Sequence, residues 1–199
     1  MAGKLRVAVL LSGRGSNLEA LIRACREQDS PAEIVLVVAN NPDAGGLAIA
    51  QASGIATAVV DHRRFASREA FDAAIDAELR RRDIALVCLA GFMRLLTPGF
   101  VEGWRGRMIN IHPSLLPAFK GRHPQRQALE AGATVSGCTV HYVTPEMDAG
   151  PIVAQEQLPV LPGDSEASLS ARILEAEHRL YPRALMMVAR KLRAEVPPA

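Results

Sequence analysis

The residues best suited to chemistry stand together in Ile109-Asn110-Ile111-His112-Pro113-Ser114-Leu115-Leu116-Pro117. An amide and an imidazole two residues apart end what reads as a buried strand. Side chains alternate faces along a strand, so Asn110 and His112 point the same way. Pro113 turns the chain out and leaves the pair at the strand's C-terminal edge. A hydrogen-bond donor beside a titratable ring there could hold developing charge and move a proton. A satisfied polar pair finishing a strand is the plainer reading, and both stand on these residues alone.

Three other stretches carry candidate groups. Ser12-Gly13-Arg14-Gly15-Ser16-Asn17 follows an apolar run and precedes Leu18, Leu21, Ile22 and Cys25 at helical spacing. Strand, glycine-containing loop and helix together aim free backbone N–H groups at an anion. Gly13 and Gly15 allow close approach, while Ser16 and Asn17 can cap the helix or bind a ligand. A tight turn with an N-cap satisfies the same pattern, and neither the Lys of a Walker loop nor a GxGxxG is present. Gly91-Phe92-Met93-Arg94-Leu95-Leu96 is apolar enough to line a pocket for a flat, partly aromatic ligand, or to pack the next helix. Asp148 sits in the turn-rich connection 145–151, where acids are commonly just solvated.

The elements that must position these groups are short apolar strands alternating with one-sided helices. Strands are predicted over 7–11, 34–39, 56–60 and 84–90, and another ends at His112. Helices are predicted after Asn17, over 45–53, after an N-cap at Ser67 with Phe71, Ala74, Ile75 and Leu79 inward, and over 124–131. This alternation implies an α/β, doubly wound, mostly parallel sheet with helices on both faces. Right-handed crossovers then bring 13–17, 90–94 and 110–114 to one sheet edge. Trp104 reads as core or edge packing. Strands over 134–144 and 152–160 suggest an added antiparallel hairpin. A last helix opens at Asp164 or Ser165, carries Leu169, Ile173, Ala176 and Leu180, and is broken or kinked at Pro182 before Leu185, Val188 and Leu192. Glu195, Val196 and the final Pro-Pro-Ala read as a frayed tail.

At 199 residues, 49% apolar and 22% charged, the chain can bury one full core. A net charge of +2 gives no case for a nucleic-acid footprint. Cys25, Cys88 and Cys138 lack metal-ligand spacing and read as buried free thiols of a reducing compartment. No signal peptide or membrane-length apolar run is found. The expectation is a single soluble, cytoplasmic domain over 1–199 that takes small molecules, not nucleic acid or membrane.

Taken together, these motifs resemble one family, the phosphoribosylglycinamide formyltransferases. The resemblance covers residues 7–182 and is carried by SGRGSNLEAL at 12–21, AGFMRLL at 90–96, NIHPSLLP at 110–117, HYVTPEMDAGPI at 141–152 and GDSEASLSARILEAEHRLYP at 163–182. NIHPSLLP with a downstream DAGPI marks the wider folate-dependent superfamily. The GSNLEAL opening narrows it to the glycinamide ribonucleotide branch. The chain's length and immediate start match that branch better than the methionyl-tRNA enzymes, with their extra C-terminal domain, or the formyltetrahydrofolate hydrolases.

The resemblance implies a sheet of about seven strands and transfer of a formyl group from 10-formyltetrahydrofolate, as co-substrate, to the glycine amine of the ribonucleotide, with no metal. It implies that Asn110 and protonated His112 hold an oxyanion while Asp148 supports His112 and collects the amine's proton through a water. Phosphate would sit on Gly15, Ser16 and Asn17, and the sugar on Glu177. The folate would use Met93, Arg94, Leu95 and Leu96, the backbone of 144–148, Asn110 and Asp148, with its glutamate tail near Arg68. His141 is expected to be structural and His123 supporting, and the protein a monomer or weak homodimer. Arg122 replaces an expected apolar residue. Leu174 stands where relatives are polar or basic, which bears on one phosphate contact. A deformylase with water as acceptor would need no phosphate cradle, and a non-catalytic folate- or nucleotide-binding module no Asn110–His112–Asp148 set.

Overall fold

The computed structural model describes residues 3–195. Strands β1 (Leu5–Leu11), β2 (Ala32–Ala39), β3 (Ala56–Val59), β4 (Leu86–Leu89), β5 (Met108–His112), β6 (Val135–Tyr142) and β7 (Ile152–Pro159) form one sheet. Its order is β3-β2-β1-β4-β5-β6-β7. The pairings from β3 through β5 are parallel, whereas β6 runs antiparallel to both β5 and β7. Strand order reverses between β1 and β4, the switch point where an α/β sheet opens a ligand crevice.

Helices α1 (Ser16–Cys25), α2 (Gly45–Ala52), α3 (Arg68–Arg80), α4 (Pro98–Gly103), α5 (Pro124–Glu130) and α6 (Glu166–Glu195) surround it. Alternation along β1 divides the core. Val7, Val9 and Leu11 join α1, α2 and α6, while Ala8 and Leu10 join α3 and α4. Ile109 and Ile111 belong to the first layer and Met108 to the second, so Asn110 and His112 issue from the α3–α4 side. Trp104 is core, 2% exposed, and donates its indole N–H to Asp76 at 2.9 Å. Cys25, Cys88 and Cys138 are buried and free, their thiols held above the ordinary range chiefly by burial.

Ser67 caps α3 as predicted, accepting from Ala70 N, and Ser165 accepts from Ser168 N at the start of α6. Pro182 does not break the last helix: α6 continues through it to Glu195. Burial of Leu180, Tyr181, Ala184 and Leu185 against the sheet outweighs the lost backbone bond. The Tyr181 hydroxyl lies 3.0 Å from the carbonyl of Leu89 and 3.2 Å from that of Ile109, tying α6 to β4 and β5. Glu195 is thus helical rather than part of a tail, and Val196 with the final Pro-Pro-Ala lies outside the described residues. No described helix is long and apolar enough to cross a membrane.

Candidate active site

The C-terminal end of β5 gathers the candidate groups. Antiparallel pairing sets Asn110 opposite His141 and His112 opposite Thr139. Paired residues share a face, so the His141 ring meets the Asn110 amide, Nδ2 to Nε2, at 3.2 Å. His141 Nδ1 lies 2.9 Å from the Tyr142 carbonyl, which can only accept. That assigns the proton to Nδ1 and leaves Nε2 to accept from Asn110. Burial pulls the His141 pKa down, outweighing the Tyr142 carbonyl and Asp148, and favours the neutral ring that this bond needs.

Asp148 reaches the same point from the β6–β7 connection. Its backbone is left-handed at φ 50°, and Gly121 N donates to Oδ2 at 2.8 Å. Gly150 makes the path possible: a Cβ there would fall 1.7 Å from the Tyr142 carbonyl oxygen. Asp148 consequently stands between two imidazoles, Oδ2 at 3.6 Å from His112 Nδ1 and Oδ1 at 3.7 Å from His141 Nε2. The other nitrogen of His112 donates to the Phe119 carbonyl at 3.0 Å. Both nitrogens of the His112 ring therefore face oxygen acceptors, and the side chain is almost wholly buried.

The loop between β1 and α1 forms a second half. Gly15 occupies the N-cap with φ 85°, and a Cβ on it would come 2.6 Å from Gly46 Cα. Ser16 and Asn17 do not cap α1, contrary to one sequence reading; Gly15 occupies the cap, so no side chain takes up the N–H groups of the first turn. Asn17 turns instead to α6, donating to Glu177 Oε2 at 2.7 Å. Glu177 is buried, which pushes its carboxyl up to about 7 although the Asn17 bond pulls the other way. A cleft of roughly 430 Å³ lies over this loop, bounded by Met93 on one side and by Ser170, Leu174 and Glu177 of α6 on the other. It reaches β5 at Ile111 and Pro113. Asn110, His112 and Asp148 are not among its lining residues, because alternation turns Asn110 and His112 to the other face. The two halves meet around the end of β5.

The expected folate residues divide. Arg68, Arg94 and Leu95 line one small cavity with His62, Phe65 and Phe71. Met93 is 75% exposed, its N–H bonded to Ser12 Oγ, and borders both the cleft and a cavity lined by Asn40, His62 and Arg94. Leu96 is half-buried against the α3–α4 core, as packing requires. His123 is exposed and 3.6 Å from Glu166, paired there rather than with Asp148. Arg122 is exposed, and Leu174 lies in the cleft wall. The structural role expected of His141 takes the form of a contact with Asn110, set by the β5–β6 register, which a sequence does not display. Among the described residues, no group of three or more His, Cys, Asp or Glu could hold a metal ion.

Comparison with known proteins bears on this arrangement. A family model described as formyl transferase matches residues 5–185. The chain is 53% identical over 186 residues to the trifunctional purine biosynthetic protein adenosine-3 of Gallus gallus, an alignment covering 94% of this chain and 18% of that protein. It thus spans less than a fifth of that relative's length. It is 46% identical over 178 residues to the phosphoribosylglycinamide formyltransferase of Escherichia coli (strain K12), covering 89% of this chain and 84% of that protein. Among solved structures, the phosphoribosylglycinamide formyltransferase from Brucella melitensis matches with a TM-score of 0.90 at 50% identity, over 99% of this chain and 100% of that one.

Proposed function

This chain belongs to the formyl transferase family, and on that premise we propose that it transfers the formyl group of 10-formyltetrahydrofolate to the amine of glycinamide ribonucleotide. The products are the N-formyl ribonucleotide and tetrahydrofolate, a purine-synthesis reaction in keeping with the names of its relatives. The observation that carries the reading is Asp148 set 3.6 Å from His112, at the end of the strand that also presents Asn110.

The amine nitrogen attacks the formyl carbon; a C–N bond forms and the carbonyl oxygen becomes an oxyanion. The Asn110 amide and a ring N–H of His112 hold that charge. Nδ1 of His112 keeps its place opposite Asp148, and Nε2 exchanges the Phe119 carbonyl for the substrate oxygen. Asp148 takes the ammonium's proton through a water. Collapse of the intermediate breaks the bond to folate N10, which receives a proton from His112, and the proton gathered on Asp148 restores the ring. The ribonucleotide phosphate rests on the free amides of Gly15, Ser16 and Asn17, with the sugar hydroxyls on Glu177. The folate lies along Met93, Arg94, Leu95 and Leu96, its carboxylate tail toward Arg68. In this reading residues 1–199 act as one domain, in the cytoplasm, as a monomer or weak homodimer.

The test is an absorbance assay of 10-formyltetrahydrofolate consumption with and without the ribonucleotide. Consumption that depends on the ribonucleotide and yields its formyl product supports the transferase. Consumption without it makes the protein a deformylase, and none at all leaves a binding protein.

A further inference from the structure

Glycinamide ribonucleotide carries a phosphate dianion, and the amides at the start of α1 offer it only partial positive charge. The cleft over that helix start contains two ionisable residues among those lining it, Glu177 and Arg14. Glu177 lies on the α6 wall; Arg14 belongs to the loop itself, one residue before the cap Gly15. The remaining wall on α6 is Ser170, Ile173 and Leu174, so it adds no cation.

Arg14 is also uncommitted. Arg63, Arg80, Arg105 and Arg172 each close an ion pair with a carboxylate. Among the described residues, Arg14 makes neither a hydrogen bond nor an ion pair through its side chain. Its backbone, by contrast, is fixed. Gly46 N donates to the Gly13 carbonyl at 3.1 Å, and Gly15 is pressed against Gly46. Arg14 thus carries an uncommitted guanidinium on an anchored loop that lines the same cleft as the start of α1.

We propose that Arg14 selects the ribonucleotide's 5′-phosphate, closing on it from the loop while the first turn of α1 holds it from below. The inference rests on the functional reading above and adds the residue that distinguishes the phosphorylated acceptor from its riboside. Guanidinium and phosphate make parallel, charge-assisted hydrogen bonds that an ammonium or amide would not reproduce. Leu174 facing the same cleft leaves this task to one arginine.

Calorimetric titration needs no turnover and so separates this claim from the reaction. Wild type and Arg14→Ala are titrated with glycinamide ribonucleotide and with the riboside that lacks phosphate. The variant is expected to bind the ribonucleotide roughly 10- to 100-fold more weakly and the riboside within about threefold of wild type. Equal ribonucleotide affinity in the two proteins overturns the assignment. An equal loss for both ligands also overturns it, since it marks a loop disturbed as a whole. A wild type that binds neither ligand overturns the ribonucleotide reading itself, and Arg14's role with it.

Discussion

The Asn110 amide lies 3.2 Å from the Nε2 of His141, two side chains set opposite each other by the antiparallel pairing of β5 and β6. With Nδ1 of His141 committed to the Tyr142 carbonyl, the ring can only accept from Asn110. One N–H of the amide is thereby fixed, and the orientation of the other follows. His141 is a positioning residue in this arrangement. His141→Ala is expected to lower kcat about tenfold, less than the ~10²–10³ typical of deleting an oxyanion donor outright. The KM for folate should hold within about threefold. Steady-state kinetics check it, and an unchanged kcat would show that Asn110 needs no such hold.

Glu177 makes stability depend on pH. Burial holds its folded carboxyl up at about 7, against an ordinary 4.5. Between those values the folded state keeps a proton that the unfolded chain has lost, so stability falls as pH rises from 4.5 to about 7. Glu177→Gln should melt close to wild type near pH 5 and above it near pH 8, a gain on the order of 3 kcal/mol at most. Thermal melts across that range decide it; a difference that does not grow with pH would contradict the buried carboxyl. The same variant should bind the ribonucleotide more weakly, through its sugar.

Gly150 fixes how the Asp148 loop folds back on β6. An alanine there would press its Cβ within 1.7 Å of the Tyr142 carbonyl, so the loop must move. Gly150→Ala is expected to lower kcat/KM for formyl transfer by about 100-fold, while ribonucleotide binding at α1 stays near wild type. Calorimetry beside steady-state kinetics separates the two. Full activity would mean that Asp148's placement tolerates more than the geometry allows.

Much of this site is legible in the sequence because it obeys local periodicity. Asn110 and His112 follow strand alternation, and the 13–17 loop follows the strand–turn–helix pattern. Asp148 has no periodicity and sits in a loop, so its residue type alone could not place it; the DAGPI resemblance did. The partner of His141 could not be read either, because it is 31 positions away and is brought there by strand register. Of the two roles the sequence allows Ser16 and Asn17, capping or ligand binding, the cap falls to Gly15, and Asn17 finds its partner on α6. At Pro182 the break that the local rule allows does not occur, since packing of Tyr181 and its neighbours carries the helix through. Where the fold departs from sequence expectation, a contact distant in the chain decides.

The most direct test of the chemistry is single-turnover formyl transfer by Asp148→Asn, with folate affinity measured on the same protein. The substitution keeps size and removes the charge opposite His112. A rate reduced by at least about 100-fold, with folate affinity within about threefold of wild type, is the expected result. Turnover like that of wild type would contradict the assignment of Asp148, His112 and Asn110 to the reaction.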